Sequence, residues 1–188
     1  MLPLNRHTVI GEVLTRCWQI PHIDYVICTI PVGDDALATE AMNYADVMHG
    51  PEHDVLQRYY IAATEIEADI IMRITADCPL LCPEMCGYIM EELIEKRADY
   101  ASNVHPRTFP VGYDCECFTY RTLERAEEEA AQHQREHVTT WMLTANIKRH
   151  NVDTKWKMDG RLTLDTEDDY RTICRAFGHE PYKRLSAA

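Results

Sequence analysis

The sequence predicts an α/β fold with a mainly parallel central sheet. Short β-rich runs alternate with longer stretches of helical spacing, as where His22–Ile30 is followed by Asp34–Tyr44. The run Ala68–Thr75 has a nearly continuous apolar centre, which suits a strand buried on both faces of a parallel sheet. The chain has 188 residues, and we expect one domain over residues 1–188.

Helices are predicted where apolar residues recur at helical spacing between suitable end signals. The pattern opens with a helix, whereas doubly wound sheets usually open with a central strand. Asp54 is a candidate N-cap, Pro83 fits a first turn, and Gly178 fits the close of the last helix. The predicted helices are Thr8–Trp18, Asp34–Tyr44, Asp54–Glu67, Pro83–Arg97, Thr119–Ala131, Arg135–Thr144 and Thr166–Phe177.

Strands are predicted for the short β-rich runs that lie between those helices. They are His22–Ile30, Ala68–Thr75, Asp99–Asn103, Tyr113–Thr119, Ile147–Val152 and Arg161–Leu164. This alternation of strand and helix is typical of a sheet that is covered by helices.

The charge of the chain disfavours polyanionic partners. There are 31 acidic side chains against 19 Lys and Arg, a formal net charge of −12. Such an excess repels phosphate backbones and anionic lipids, so we expect neither nucleic acid nor a membrane as a partner. No apolar run approaches the ~18 residues of a spanning helix. The first residues lack signal-peptide features, so we expect a cytoplasmic protein whose eight cysteines are thiols.

Three groups of Cys or His residues have short, regular spacings of the kind that can bind a metal ion. They are Cys78/Cys82/Cys86, Cys115/Cys117 and His133/His137. Pro79 and Pro83 would interrupt any single helix that carried Cys78, Cys82 and Cys86. Cys115 and Cys117 would lie on one face of a strand. The pair His133 and His137 has no third ligand nearby in the sequence. Core packing is favoured for the cysteines over a structural metal.

Two acidic residues each follow a predicted strand and precede a predicted helix. Asp77 lies in Arg73-Ile-Thr-Ala-Asp-Cys-Pro-Leu80, and Asp165 ends Arg161-Leu-Thr-Leu-Asp. Ligands bind at the carboxyl ends of strands in such folds, and strand ends in one sheet converge. Two carboxylates at one cleft suit Mg²⁺, which takes a few carboxylates together with substrate phosphates. The alternative is that Asp77 caps a turn and Asp165 caps a helix.

Five segments occur in an order that resembles a known enzyme family. They are Gly50–Tyr60, Arg73–Leu80, Tyr100–Pro110, Arg135–Thr139 and Leu162–Asp169. Together they resemble the cytidylyltransferases of the spore-coat polysaccharide biosynthesis (SpsF-like) type, relatives of the acylneuraminate and ketodeoxyoctonate cytidylyltransferases. The resemblance implies a Rossmann-like nucleotide-diphospho-sugar transferase fold. The implied reaction joins CMP from CTP to a sugar, releases pyrophosphate and uses Mg²⁺.

The resemblance also implies roles for individual residues. Asp77 and Asp165 match the family's two metal-binding acids, although Glu167 stands where the family usually has Pro. The implied nucleotide-binding residues are Asp54, Arg58, Arg73 and Ala76. The implied sugar-binding residues are Asn103, Arg107, Asp114, Glu116, Arg135, Glu136 and His137. Relatives commonly pair through strands of the second half, so a homodimer is one expected assembly.

One part of the family pattern has no match in this sequence. The family opens with a strand and a Gly-rich basic loop that cradles the triphosphate, whereas this sequence begins Met-Leu-Pro-Leu-Asn-Arg. We expect the strands beside that position to expose unpaired backbone edges. We also expect impaired catalysis, because the loop cations would stabilise the leaving pyrophosphate. The alternative function is a non-catalytic remnant that binds a sugar or a protein partner.

Overall fold

The computed structural model describes residues 1–153 and 161–178. The α-helices of this part are α1 Val9–Cys17, α2 Asp35–Ala41, α3 Val55–Glu65, α4 Pro83–Glu95, α5 Tyr120–Glu129, α6 Thr140–Thr144 and α7 Glu167–Ala176. The strands are β1 Pro3–Leu4, β2 His7–Thr8, β3 Ile27–Pro31, β4 Asp46–Gly50, β5 Ile70–Arg73, β6 Tyr100–Ser102, β7 Glu116–Thr119 and β8 Arg149–Asn151. None of the described helices combines the length and the apolar character that a membrane span requires.

Side-chain caps begin several helices where the sequence places them. The Oγ1 atom of Thr8 accepts from the N–H of Gly11 at 3.2 Å, and Asp54 caps α3 in the same way. Thr166 and Asp169 form a reciprocal pair at the start of α7, with bonds of 3.2 and 2.9 Å. Each bond satisfies an N–H that the first turn leaves unpaired. The predicted α1, α3 and α7 are thereby confirmed, with ends that differ by one or two residues.

Several segments differ from the sequence expectation: β1 and β2 were not expected, the strand expected over His22–Ile30 is confined to β3, and three further differences have a structural reason. The helix expected over Arg135–Thr144 is confined to α6, because the carbonyl of Arg135 accepts from the N–H of Leu56 on α3 at 3.0 Å. The strand expected over Arg161–Leu164 makes a single bridge, through Arg161. β4 has no counterpart among the expected strands, because its Asp, His and Gly residues give a weak strand signal.

The longer strands form two sheets. β3 and β4 pair in parallel, and a separate four-stranded sheet has the order β5-β7-β6-β8. β7 is antiparallel to both β5 and β6, whereas β6 and β8 are parallel. The α/β class is confirmed, but the four-stranded sheet is mixed rather than mainly parallel. The reason is that residues 103–115 join β6 to β7 without a helix, while a parallel pair requires a crossover connection.

The four-stranded sheet separates two apolar cores. Ala101 and Cys117 lie in a core with α1 and α4, whereas Tyr100 and Phe118 lie in a core with α3, α5 and α6. This division follows from the strand geometry, since successive side chains point to opposite faces. Cys115 is fully buried in the first core, and all eight cysteines are free thiols, as expected.

A buried carboxylate links three strands of this sheet. Glu116 on β7 is 3% exposed and accepts hydrogen bonds from Nη1 of Arg73 on β5 and from the hydroxyl of Tyr100 on β6, each at 2.5 Å. The buried carboxylate thereby has both a counter-ion and directed donors. Burial, reinforced by the Glu116 charge, raises the pKa of Tyr100, so its hydroxyl remains a donor at neutral pH.

The substitution Glu116→Gln removes this charge at nearly constant volume. We expect the free energy of unfolding to fall by about 3 kcal/mol, because the largely buried Arg73 loses its counter-ion. Urea denaturation measures the change. The control is Glu129→Gln, which breaks the exposed pair with Arg125 and should cost no more than about 0.5 kcal/mol. Losses of equal size in the two variants would contradict a special role for the buried carboxylate.

Gly112 allows the segment 161–165 to lie against the loop between β6 and β7. Its φ is 104°, and a Cβ at this position would lie 2.5 Å from the carbonyl carbon of Leu162. The N–H of Leu162 donates to the carbonyl of Val111 at 2.7 Å. A side chain at residue 112 would therefore both strain the backbone and displace the segment that leads to Asp165.

Comparison of Gly112→Ala with Gly33→Ala separates these two effects. Both glycines have positive φ, but nothing lies within 4 Å of a Cβ added at Gly33. Gly33→Ala should lower the free energy of unfolding by about 1–2 kcal/mol through backbone strain alone. Gly112→Ala should lower it further, because the Leu162 backbone must also move. Equal denaturation midpoints for the two variants would show that the close contact has no energetic role.

Candidate active site

Asp77 lies in the turn that follows β5. The N–H of Cys78 donates to the carbonyl of Thr75 at 3.2 Å, which closes this turn. The Asp77 carboxylate is half-buried, and the Sγ atom of Cys78 lies 3.5 Å from its Oδ1 atom. Burial raises the pKa of Cys78 to about 12, so this neighbour is a neutral thiol and only a weak donor. Asp77 therefore retains acceptor capacity for a ligand.

The segment that carries Asp165 packs directly against this turn. The N–H of Leu164 donates to the carbonyl of Asp77 at 2.8 Å, and Leu162 is tied to Val111. Asp165 is the next residue after Leu164 and lies just before the capping residue of α7. The tertiary structure thus brings together the two segments that carry Asp77 and Asp165, although 88 residues of sequence separate them (165 − 77).

The Asp165 carboxylate has an arginine as its neighbour. Nη2 of Arg161 is in direct contact with Oδ2 of Asp165, and the hydroxyl of Thr163 lies 3.3 Å from the same oxygen. About half of the Asp165 side chain is exposed, at 49%. Arg161 also lies 3.8 Å from the carboxylate of Asp169. The segment around Asp165 therefore presents one cation, Arg161, beside the carboxylates of Asp165 and Asp169.

The donor set at this edge fits Mg²⁺ when a phosphate substrate completes the coordination. In the described residues no group of three or more His, Cys, Asp or Glu side chains is arranged to hold a metal ion. Asp77 and Asp165 would supply two carboxylates on adjoining segments. Mg²⁺ is commonly held by one or two carboxylates, by water and by substrate phosphates, so two acids are sufficient.

Arg107 and Asp114 form a bidentate ion pair in the loop between β6 and β7. The two nitrogen–oxygen distances are 2.5 and 2.9 Å, and the N–H of Gly112 lies 3.3 Å from Oδ1 of Asp114. The Asp114 charge contributes to the raised pKa of Cys78, which lies next to Asp77 in the chain. The pair therefore lies in the neighbourhood of the two acids, and Arg107 is exposed there.

Asn103 and Glu116 are buried, and their polar groups bind within the protein. Oδ1 of Asn103 accepts from the N–H of Cys115 at 3.0 Å, and its Nδ2 atom donates to the carbonyl of Tyr113 at 2.7 Å. Asn103 thus holds the two ends of the loop that carries Arg107. Glu116 orients Arg73 through the bond described above.

Arg135, an expected sugar-binding residue, forms ion pairs with Asp54, an expected nucleotide-binding residue, and with Glu127. Its Nε atom lies 2.6 Å from Oδ2 of Asp54, and its Nη2 atom lies 2.5 Å from the carboxylate of Glu127. The Arg135 side chain is only 11% exposed, so it fixes the start of α3. Glu136 and His137 follow it on the exposed surface of the same turn.

Arg58, Arg73 and Ala76 line a cavity of about 930 Å³, and Ala76 directly precedes Asp77 in the chain. Nε of Arg58 is buried and has no hydrogen-bond partner among the described residues. Tyr59 lines the same cavity, and burial raises its pKa, so its hydroxyl is neutral there. Asp54 caps the helix that carries Arg58, although it does not itself line the cavity.

Four residues of this region were not identified from sequence. They are Tyr100, Glu127, Arg161 and Asp169. The spacing Thr166-x-x-Asp169 is a capping signal, and the i,i+4 spacing of Arg161 and Asp165 permits a local pair. Tyr100 and Glu127 reach their partners only through tertiary contacts, so no local signal could identify them.

Comparison with known proteins agrees with this fold. A family model described as Cytidylyltransferase matches residues 1–179. An uncharacterized protein of Methanocaldococcus jannaschii is 33% identical over 181 residues, which cover 91% of this chain and 73% of that protein. A solved cytidylyltransferase from Leptospira borgpetersenii superposes with a TM-score of 0.89 at 27% identity and covers 94% of this chain and 78% of its own.

Two further structures are more distant in sequence. CMP:2-keto-3-deoxy-manno-octonic acid synthetase complexed with CTP has a TM-score of 0.72 at 12% identity, with 94% of this chain and 90% of that chain covered. A Mycobacterium tuberculosis protein, solved in complex with manganese, has a TM-score of 0.66 at 18% identity, with 94% of this chain and 90% of that chain covered. At such low identity these two show the fold alone. Because the family model spans nearly all of the sequence, this chain belongs to the cytidylyltransferase family.

Proposed function

We propose that this protein transfers CMP from CTP to a sugar, with release of pyrophosphate and with Mg²⁺ as cofactor. The observation that carries the proposal is the backbone bond between Leu164 and Asp77, which supports a shared role for Asp77 and Asp165. Family membership supports CTP as the nucleotide. The manganese complex of a structural relative supports the use of a divalent cation.

The proposed reaction is an in-line displacement at the α-phosphorus of CTP. A hydroxyl oxygen of the sugar bonds to this phosphorus, its proton passes to solvent, and the bond to pyrophosphate breaks. Mg²⁺, when bound, offsets negative charge on the phosphate oxygens. Asp77 and Asp165 would hold the cation. Arg58 would provide positive charge along the adjoining cavity, whereas Arg73, which also lines it, is already paired with Glu116. Such catalysis depends mainly on positioning and on charge stabilisation.

The proposed sugar side lies around the loop between β6 and β7. Arg107 and Asp114 are accessible there, and their fork-shaped pair offers both donors and acceptors to hydroxyl groups. Asn103 would act indirectly by holding this loop in place. Glu116 and Arg135 would also act indirectly, through their bonds to Arg73 and Asp54. Glu136 and His137 are exposed, so they are the candidates for direct contact with the sugar. We propose a role in polysaccharide biosynthesis in the cytoplasm, with a homodimer as the assembly.

CTP binding provides the first test. With Mg²⁺ present, CTP at 100 times its Kd should raise the free energy of unfolding by about 2.7 kcal/mol, because the ligand binds the folded state. Differential scanning fluorimetry follows this as a higher Tm. GTP, and CTP with EDTA, are the controls and should produce smaller shifts. The absence of any Tm change at millimolar CTP with Mg²⁺ would contradict the proposal.

Substitution of the two acids tests the metal-binding role. Asp77→Asn and Asp165→Asn should each lower CTP-dependent pyrophosphate release by at least about 10²-fold, as expected for loss of one preorganised charged group. Each should also weaken Mn²⁺ binding in the presence of CTP, measured by electron paramagnetic resonance. Asp168→Asn is the matched control, because Asp168 is 89% exposed in the first turn of α7. Unchanged Mn²⁺ binding in either variant would assign that residue to capping alone.

A further inference from the structure

Arg16 on α1 contacts two parts of the fold that both adjoin the proposed metal site. Its Nη1 atom donates to the carbonyl of Leu81 at 3.2 Å, and its guanidinium carbon lies 5.2 Å from the centre of the Phe177 ring. Leu81 lies four residues after Asp77, and Phe177 directly follows α7. Both contacts are distant in sequence, so no local pattern in α1 indicates them.

A buried carboxylate holds the Arg16 guanidinium in place. Glu12 is 6% exposed and lies one turn earlier on α1, and its Oε1 atom accepts from Nε of Arg16 at 2.9 Å. Nε and Nη1 therefore donate in two fixed directions from one plane, while the cation lies over the Phe177 ring. Arg16 thus connects α1 to two other parts of the chain through one rigid group.

The first of these contacts is with the turn that carries Asp77. The N–H of Leu81 donates to the carbonyl of Cys78 at 3.1 Å, and the N–H of Cys78 donates to the carbonyl of Thr75 at 3.2 Å. Asp77 lies within the first of these two consecutive turns. Leu81 is completely buried, so its carbonyl requires a donor from the protein, and Arg16 supplies it.

The second contact is with the helix that follows Asp165. Phe177 continues α7, since its N–H donates to the carbonyl of Ile173 at 3.1 Å. α7 has ten residues, which corresponds to a length of about 15 Å. The contact with Arg16 therefore restrains α7 at the end opposite Asp165.

An apolar cluster connects the two contacts. Leu80, which precedes Leu81, and Leu164, which precedes Asp165, pack with Phe177 against the same buried cluster, formed mostly by α7. Because protein interiors are closely packed, a displacement of one of these segments also displaces the other. Arg16 contacts one member of this cluster and the chain neighbour of another.

We propose that Arg16 is a positioning residue, which fixes the Asp77 turn and α7 relative to each other and so keeps Asp77 and Asp165 within reach of one metal ion. Arg16 acts through Leu81 and Phe177 rather than by contact with the cation or the nucleotide. The metal-binding role of the two acids rests on the proposed function, whereas the restraint on the two segments is measured independently of it.

Arg125 on α5 provides a matched control. Its Nε atom lies 3.1 Å from Oε1 of Glu129, also one helical turn away, and its guanidinium carbon lies 5.2 Å from the centre of the Trp141 ring. Arg125 therefore makes the same kinds of ion pair and ring contact as Arg16. Its partners belong to α5 and α6, which carry neither of the two acids. Substitution of either arginine by Met removes the charge and the donors at similar side-chain length.

Amide hydrogen exchange, measured by NMR for individual residues of the full chain, tests the restraint. Arg16→Met should accelerate exchange by about tenfold, because local opening becomes easier, at the three amides whose bonds hold the acid-bearing segments: Cys78, Leu81 and Leu164. Exchange at the amides of Ala130 and Ala145 should not change, because their hydrogen bonds lie within α5 and α6.

Arg125→Met should give the reverse pattern, with faster exchange at Ala130 and Ala145 alone. Equal acceleration at all five amides in Arg16→Met would indicate only a loss of overall stability and would overturn the proposal, as would the absence of any acceleration. If Arg16→Met does not fold, Arg16→Lys takes its place. A single nitrogen cannot reproduce two donors fixed in one plane, so the same three amides should again exchange faster.

Mn²⁺ binding in the presence of CTP tests the consequence for the two acids. Electron paramagnetic resonance should show about tenfold weaker Mn²⁺ binding in Arg16→Met, at the lower end of the loss expected when a group that orients metal ligands is removed. Arg125→Met should bind Mn²⁺ as the unsubstituted protein does. If the unsubstituted protein binds no Mn²⁺ with CTP, the proposed function fails and the positioning role fails with it, while the exchange pattern still decides the restraint. Unchanged Mn²⁺ binding in Arg16→Met would overturn the positioning role alone.

Discussion

The buried carboxylate of Glu116 is the interaction on which the four-stranded sheet and the adjoining cavity depend. A charge that is 3% exposed is unfavourable unless donors surround it, and here Arg73 and Tyr100 come from the two strands on either side. The bonds therefore fix β5, β6 and β7 in one register. They also hold Arg73 in the wall of the cavity, so the same ion pair supports the sheet and fixes one residue of the proposed nucleotide site.

Most of the cations near the proposed site already have an acidic partner. Arg107 binds Asp114, Arg135 binds Asp54, and Arg161 contacts Asp165. In a chain of formal charge −12, these pairs limit the positive potential that an anionic substrate would meet. Arg58 differs, because its buried Nε has no partner among the described residues. A divalent cation that enters with the nucleotide would complement such a site better than the arginines alone.

The sequence by itself determined the α/β class and most helix positions, because caps, apolar spacing and turn residues act over a few neighbouring positions. Only the tertiary structure decided the antiparallel placement of β7, the limited extent of α6 and the partners of Glu116 and Arg135. Those features join residues that are distant in the chain, as Asp54 and Arg135 are. Their geometry depends on the packing of whole elements, which no local pattern of residues specifies.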